Sequence, residues 1–303
     1  MPRGRERGSG YARTVGTGSR LAHLEGYPFE VRYSDGAQRR ATAVADVAAA
    51  AYVYFNRLFS SVEPEIALIV ADKADWLDRK SPYGLPFFTD ESGIRPGVVV
   101  MPAGAGDFWI GMAQDLRDAS TGEYAKLVAA YPDPAGGVDL QPFFDLITIH
   151  ELAHAFETLG DLRLPTSWLS EIFVNLAMHA FVATQLPESL PTLETLPTVG
   201  AGSQELAARM RAECYSTLED LEAHYTGGDD PMSPLNYVWF QYRWLRLAAK
   251  MYETDGEGGL VRFWDCFHAR DHVLTGEVTA ASLAPLLTAE VSPTLGHAVR
   301  DWH

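Results

Sequence analysis

Residues 150–154 read His-Glu-Leu-Ala-His, a spacing that could do metal chemistry. On a helix, positions i and i+4 share a face, so His150 and His154 can present two imidazoles to one cation. Glu151 stands beside them without filling a ligand position. There it can take a proton from a metal-activated water and pass it to a leaving group. Zinc suits imidazole and carboxylate ligands, and a catalytic zinc site keeps one position open. A surface helix carrying this pattern by chance is the bland alternative. Against it, Phe143-Phe144-Asp145-Leu146-Ile147-Thr148-Ile149 precede the motif and Ala155-Phe156 follow it. Such a setting buries the helix and leaves three polar side chains needing partners.

A tetrahedral catalytic zinc needs one more protein ligand. The metzincin continuation requires Gly at 157 and His at 160, where this chain has Glu157 and Gly160. The next helix opens Ser167-Trp168-Leu169-Ser170-Glu171 and brings a carboxylate 17 positions after His154. A Glu in a first turn also suits the helix dipole. On an otherwise apolar helix, between Trp168 and Ile172, coordination explains Glu171 better, with Asp161 and Glu157 as the fallback ligands. Glu157 lies on the ligand face, as a support to the ligands, a substrate contact or a solvated helix end. His179, eight after Glu171, reads as a hydrogen-bonded core histidine.

With HELAH followed by Trp-Leu-Ser-Glu, residues 150–183 resemble the gluzincin zinc peptidases, the thermolysin and aminopeptidase N type. The resemblance implies an α+β, zincin-like fold with an N-terminal mixed sheet and helices, a C-terminal mostly helical lobe, and the active-site cleft between them. It implies that an edge strand, here 97–102, runs along the cleft and pairs with extended substrate. It implies that Asn175, four after Glu171, orients a ligand histidine through its amide oxygen, where thermolysin-like enzymes place an Asp. It also implies an oxyanion donor from a later helix. Tyr237, in Asn236-Tyr237-Val238-Trp239-Phe240-Gln241-Tyr242, takes that role, with Tyr242 and His224 as rivals. Two departures stand out. The His154–Glu171 interval is slightly shorter than in the best-known branches, a change the Gly160–Pro165 loop can absorb. The Gly-x-Met-Glu-Asn segment that anchors a substrate amino terminus in aminopeptidase N enzymes has no counterpart; the nearest stretch, 101–106, lacks an acidic residue.

The elements that must position these residues divide along the chain. Phe29–Tyr33 alternates as a half-buried strand does, Ala-rich 39–60 has helical spacing, and Glu65–Val70 is short, apolar and β-branched. Gly97–Pro102 reads as a further strand, and its terminal Pro places it at a sheet edge. From Asp107 onward the periodic signals are helical: 141–158 with Gly160 as its stop, 167–184, 203–224, 234–253 and 258–269, with the Pro-rich 187–200 as a connector. Strands early and helices late predict an α+β protein. Its expected parts are a flexible tail at 1–20, an α/β lobe at 21–160 carrying the HExxH helix, and a helical lobe at 161–303.

The 303 residues carry 24 Lys and Arg against 40 Asp and Glu, a formal charge of -16. That balance repels phosphate backbones and anionic lipid, so neither nucleic acid nor membrane is an expected partner. No run approaches the ~18 apolar residues of a membrane span. The basic start lacks the apolar core of a signal peptide, and Cys214 and Cys266, which could pair, are so few that they suit a reduced compartment better than a disulfide framework. A cytoplasmic protein is expected. The expected function is a zinc-dependent metallohydrolase, a peptidase cleaving an amide bond in a peptide or small-molecule substrate. The alternative is an enzyme of the same fold acting on a small molecule in a biosynthetic pathway, without general peptidase activity. A non-catalytic metal scaffold would have no need of Glu151.

Overall fold

A computed structural model describes residues 21–59, 62–77, 83–90, 97–119, 122–202, 215–225, 232–269 and 278–302. The expected tail at 1–20, Cys214, the first part of the expected 203–224 helix and the Gly227–Pro231 cluster lie outside them.

Strand β3 (Ile66–Ala71) is buried at every position, as a β-branched strand covered on both faces should be. Its neighbours β2 (Glu30–Tyr33) and β5 (Gly97–Pro102) run parallel to it. Antiparallel strands β1 (Ala22–Leu24) and β4 (Phe87–Thr89) close the two sides, giving the order β1-β2-β3-β5-β4. Helix α1 (Gln38–Leu58) links β2 to β3 and buries Ala41, Val44, Ala45, Ala48 and Ala51, small residues at helical spacing that let it lie close to the sheet.

The described residues after β5 are mainly helical: α2 (Asp107–Ala119), α3 (Tyr124–Ala130), α4 (Gln141–Leu159), α5 (Ser167–Gln185), α6 (Leu190–Gly202), α7 (Leu218–His224), α8 (Pro234–Asp255), α9 (Glu257–Phe267), α10 (Ala280–Leu286) and α11 (Pro293–Arg300). The protein is therefore α+β with a five-stranded mixed sheet. Helix α5 is the central one, with an unbroken buried run from Glu171 to Val182. It packs between α4 and α8, and its Phe173 meets Phe59, Phe263 and Trp264 in one aromatic cluster. No described helix is long and apolar enough to cross a membrane.

Three expectations need correction. Strand β5 is not at the edge: β4 covers its outer side, pairing Phe88 with Val99, and three residues are too few to announce a strand by periodicity. Pro102 is tolerated because it ends the strand. The Pro-rich 187–200 is no open connector, because α6 runs through Pro197. Where the helical bond from Leu196 to Thr192 would close, the buried Tyr131 hydroxyl is inserted, donating to Thr192 O at 2.5 Å and accepting from Leu196 N–H at 3.0 Å. A side chain entering the ladder beside a proline satisfies the polar groups such a helix leaves open. Lastly, Gly160 ends α4 with φ at -94°, and the left-handed position is Asp161 at φ 58°. Glycine is needed at 160 for closeness: a Cβ there would meet Phe156 O at 2.3 Å and Trp264 at 2.9 Å.

Candidate metal centre

Helices α4 and α5 bury apolar residues on nearly every side, so the polar side chains between them are confined to one seam. His150 (6% exposed), Glu151 (8%), Glu171 (2%) and Asn175 (1%) all lie there. The i and i+4 spacing of His150 and His154 sets their rings 4.9 Å apart at 78°. Glu171 arrives from the second helix with Oε2 at 3.4 Å from His150 Nε2 and Oε1 at 3.8 Å from His154 Nε2. One atom from each of the three falls within 4.8 Å of the others. Ligands ~2.1 Å from a single ion lie ~3.4 Å apart at the tetrahedral angle; the two Glu171 contacts are near that spacing, so with a small closing of the rings this donor set could hold a metal ion.

Both imidazoles are held from behind. His150 Nδ1 pairs with Asn175 Oδ1 at 3.2 Å, and His154 Nδ1 with Glu157 Oε2 at 3.0 Å. Each Nε2 is thereby turned to Glu171, the orientation that metal-ligating histidines take from such partners. Ser170 Oγ donates to the same Glu157 oxygen at 2.6 Å. Glu157 is not among the residues lining the cavity beside the triad. Its carboxylate takes the His154 and Ser170 hydrogen bonds.

The electrostatics follow from this packing. Burial alone would lower the His154 pKa, but the Glu157 hydrogen bond and the charges of Glu171, Glu157 and Glu151 raise it to about 9. For Glu171 burial pulls upward, yet the His150 hydrogen bond and the two histidine charges bring it down to about 2. Burial pushes the Glu151 carboxyl up, against the pull of His150 and His154. Glu151 is thus a carboxylate whose ionised form is destabilised, as a proton-accepting group poised nearer neutrality requires.

Helix α8 closes the site. Gln241 donates from Nε2 to Glu171 Oε2 at 2.7 Å and to Tyr237 Oη at 2.6 Å, while Asn175 Nδ2 donates to Gln241 Oε1 at 2.9 Å. Tyr225, just beyond α7, donates to Glu171 Oε1 at 3.0 Å and stacks on Tyr237 with ring centres 5.1 Å apart. The two hydroxyls differ in what they have left to give. Tyr225 has its proton committed to Glu171. Tyr237 accepts from Gln241, so its own proton is free to turn to Tyr225, 3.5 Å away, or to a molecule in the cavity. Burial, then the Glu171 charge, holds Tyr237 well above the ordinary phenol range, so it stays protonated.

The rival donors are otherwise engaged. Tyr242 also lines the cavity, but its hydroxyl is on Met112 Sδ at 3.6 Å. His224 stacks on Tyr215 and does not line the cavity. Asp161 turns to Arg163 in solvent. His179 is buried against Glu194 at 2.9 Å, as a core histidine would be. Tyr225 and Gln241 were missed by sequence reasoning. Gln241 had a signal, being four after Tyr237 on the same face; Tyr225 had none beyond its closeness to His224.

A cavity of about 520 Å³ opens beside the triad, walled by Phe87, Phe88, Trp109, Phe144, Val238 and Leu245 among others. Glu151, Glu171 and the two histidines are the ionisable groups of its wall besides tyrosines; no Lys or Arg lines it among the described residues. Comparison with protein-family models, curated proteins and solved structures finds no match to this chain.

Proposed function

We propose that this chain is a zinc-dependent hydrolase of the gluzincin type, with a zincin-like fold and the cavity as its active-site cleft. One observation carries the reading: α5 delivers Glu171 to the Nε2 atoms of both HExxH histidines, while Glu151 borders the cavity without joining them. A purely structural site has no use for a carboxylate that stands beside the three ligands and, among the described residues, accepts a hydrogen bond only from the Phe88 backbone N–H. His150, His154 and Glu171 would hold zinc, which when bound polarises a carbonyl oxygen and makes water a better nucleophile.

The chain's own residues do the rest. Glu151 accepts the proton lost by the attacking water and returns it to the leaving amine. Tyr237 turns its free hydroxyl proton to the oxygen on which negative charge develops. The apolar wall excludes bulk water and strengthens both interactions. Amide hydrolysis of a peptide or peptide-like substrate uses all of these groups. Glu151→Gln tests the assignment: it should retain zinc and lose hydrolysis by at least ~100-fold. A variant as active as the parent would sink the assignment.

The cavity wall also supports the small-molecule reading. Among the described residues, a free amino terminus or carboxylate would find no ion-pair partner there except the catalytic groups themselves, and burying such a charge unpaired is costly. Substrates without terminal charges near the cut bond, and with bulky apolar groups, suit this wall. Comparing turnover of N-acylated, C-amidated apolar substrates with their free-ended counterparts separates a general exopeptidase from such an enzyme.

A further inference from the structure

We propose that Gln241 is a positioning residue that locks the metal ligands of α4 and α5 into one hydrogen-bonded ring, an inference resting on the metal-centre reading above. The ring runs from His150 Nδ1 to Asn175 Oδ1 (3.2 Å), from Asn175 Nδ2 to Gln241 Oε1 (2.9 Å), and from Gln241 Nε2 to Glu171 Oε2 (2.7 Å). It closes where Glu171 Oε2 faces His150 Nε2 at 3.4 Å. Three helices thus meet in a ring that includes two of the three ligands.

The ring has only one workable direction. A histidine that binds metal through Nε2 carries its proton on Nδ1 and must donate there. Asn175 must then face it with its oxygen, which sends the Asn175 amide nitrogen toward Gln241. Gln241 has to answer with Oε1, and its own nitrogen is left facing Glu171, a carboxylate that only accepts. Every donor meets an acceptor, and reversing either amide would set two donors or two acceptors against each other. A glutamine is required here: Glu has no donor for Glu171, and Leu or Met has nothing for either side.

The second Gln241 proton goes to Tyr237 Oη at 2.6 Å. Because that oxygen accepts, the Tyr237 proton stays available for substrate. The same amide therefore fixes the ligand carboxylate and sets the direction of the phenol.

Gln241→Met keeps the side chain's length and removes all three hydrogen bonds. Zinc affinity of protein stripped of metal, read by competition with a chromogenic chelator, should fall ~10- to 100-fold, the usual cost of losing an outer partner of a metal ligand. Asn175→Leu breaks the ring at its other amide and should lose a similar amount. The double variant should lose little more than the worse single one, because both changes open the same ring. The visible spectrum of the cobalt-loaded protein should shift in Gln241→Met, a signature that loss of packing far from the metal would not give. Gln241→Leu repeats the test if the Met variant folds poorly. An affinity within about two-fold of the parent overturns the proposal, as do losses that add in the double variant. A parent protein without zinc affinity is a different failure, that of the metal centre itself.

Discussion

On the proposed zinc-site reading, a metal ion and a proton would compete for His154, and the structure bears on the size of that competition. Burial works against the imidazolium, but Glu157 accepts from Nδ1 at 3.0 Å and Glu171 stands 3.8 Å from Nε2. Their net effect raises the residue to about 9 in the metal-free protein. At pH 7 the proton is then favoured by about two pH units, on the order of 100-fold, and a metal ion would have to displace it. Affinity should therefore rise close to tenfold per pH unit from about 6.5 to about 8.5 and flatten above about 9. The stability of the metal-free fold has the opposite sign. The raised His154 pKa contributes stability that is complete below about 6.5 and is lost as pH rises through about 9. Glu171, lowered to about 2, contributes above about 4.5 and loses its share as pH falls through about 2. The metal-free pair is thus strongest between about pH 4.5 and 6.5. The perturbation is Glu157→Gln, which removes the charged acceptor at Nδ1. The His154 pKa should drop and the affinity curve should level off at lower pH, while the plateau affinity falls ~10-fold for want of the orienting carboxylate. Chelator competition from pH 6 to 9.5 on both proteins reads the two curves. A parent curve flat across that range, or a variant curve of unchanged shape, would refute the reasoning.

Other expectations concern the tyrosines and the helix junction. Tyr237→Phe should lower kcat ~10- to 100-fold with little change in KM, because its free proton matters only as charge develops. Tyr225→Phe should act mainly on zinc affinity, since its proton is given to Glu171; equal kcat losses in the two variants would reverse the assignment. Gly160→Ala should destabilise the fold by ~1–3 kcal/mol, because a Cβ there runs into Phe156 O, Trp264 and Val62. Urea unfolding measures it, and an unchanged midpoint would show that the α4–α5 junction yields easily.

The legible part of the site was the part encoded within single helices. His150, Glu151 and His154 are fixed by four residues of helical spacing, and Asn175 by four more from Glu171. Glu171 could be found because an acid on an otherwise apolar helix needs a reason. Tyr225 and Gln241 join through tertiary contact, 54 and 70 positions from Glu171, and no local pattern announces such partners. Glu157 was legible as a residue on the ligand face with support of the ligands among its expected roles, but choosing among those roles needed Ser170, which shares its carboxylate and comes from the next helix. In the fold, the long periodic elements α1, α4, α5 and α8 were read to within a few residues. Strand β4 was too short to see, and α6 was hidden by its prolines because its gap is filled by Tyr131, a residue 61 positions before Thr192.

The central claim is that His150, His154 and Glu171 form a zinc site, and metal analysis of the purified chain reaches it most directly. After dialysis against metal-free buffer the protein should retain about one zinc per chain, and Glu171→Ala should retain far less under the same treatment. A correctly folded parent chain that holds no zinc and takes none up when it is offered would contradict the account at its root.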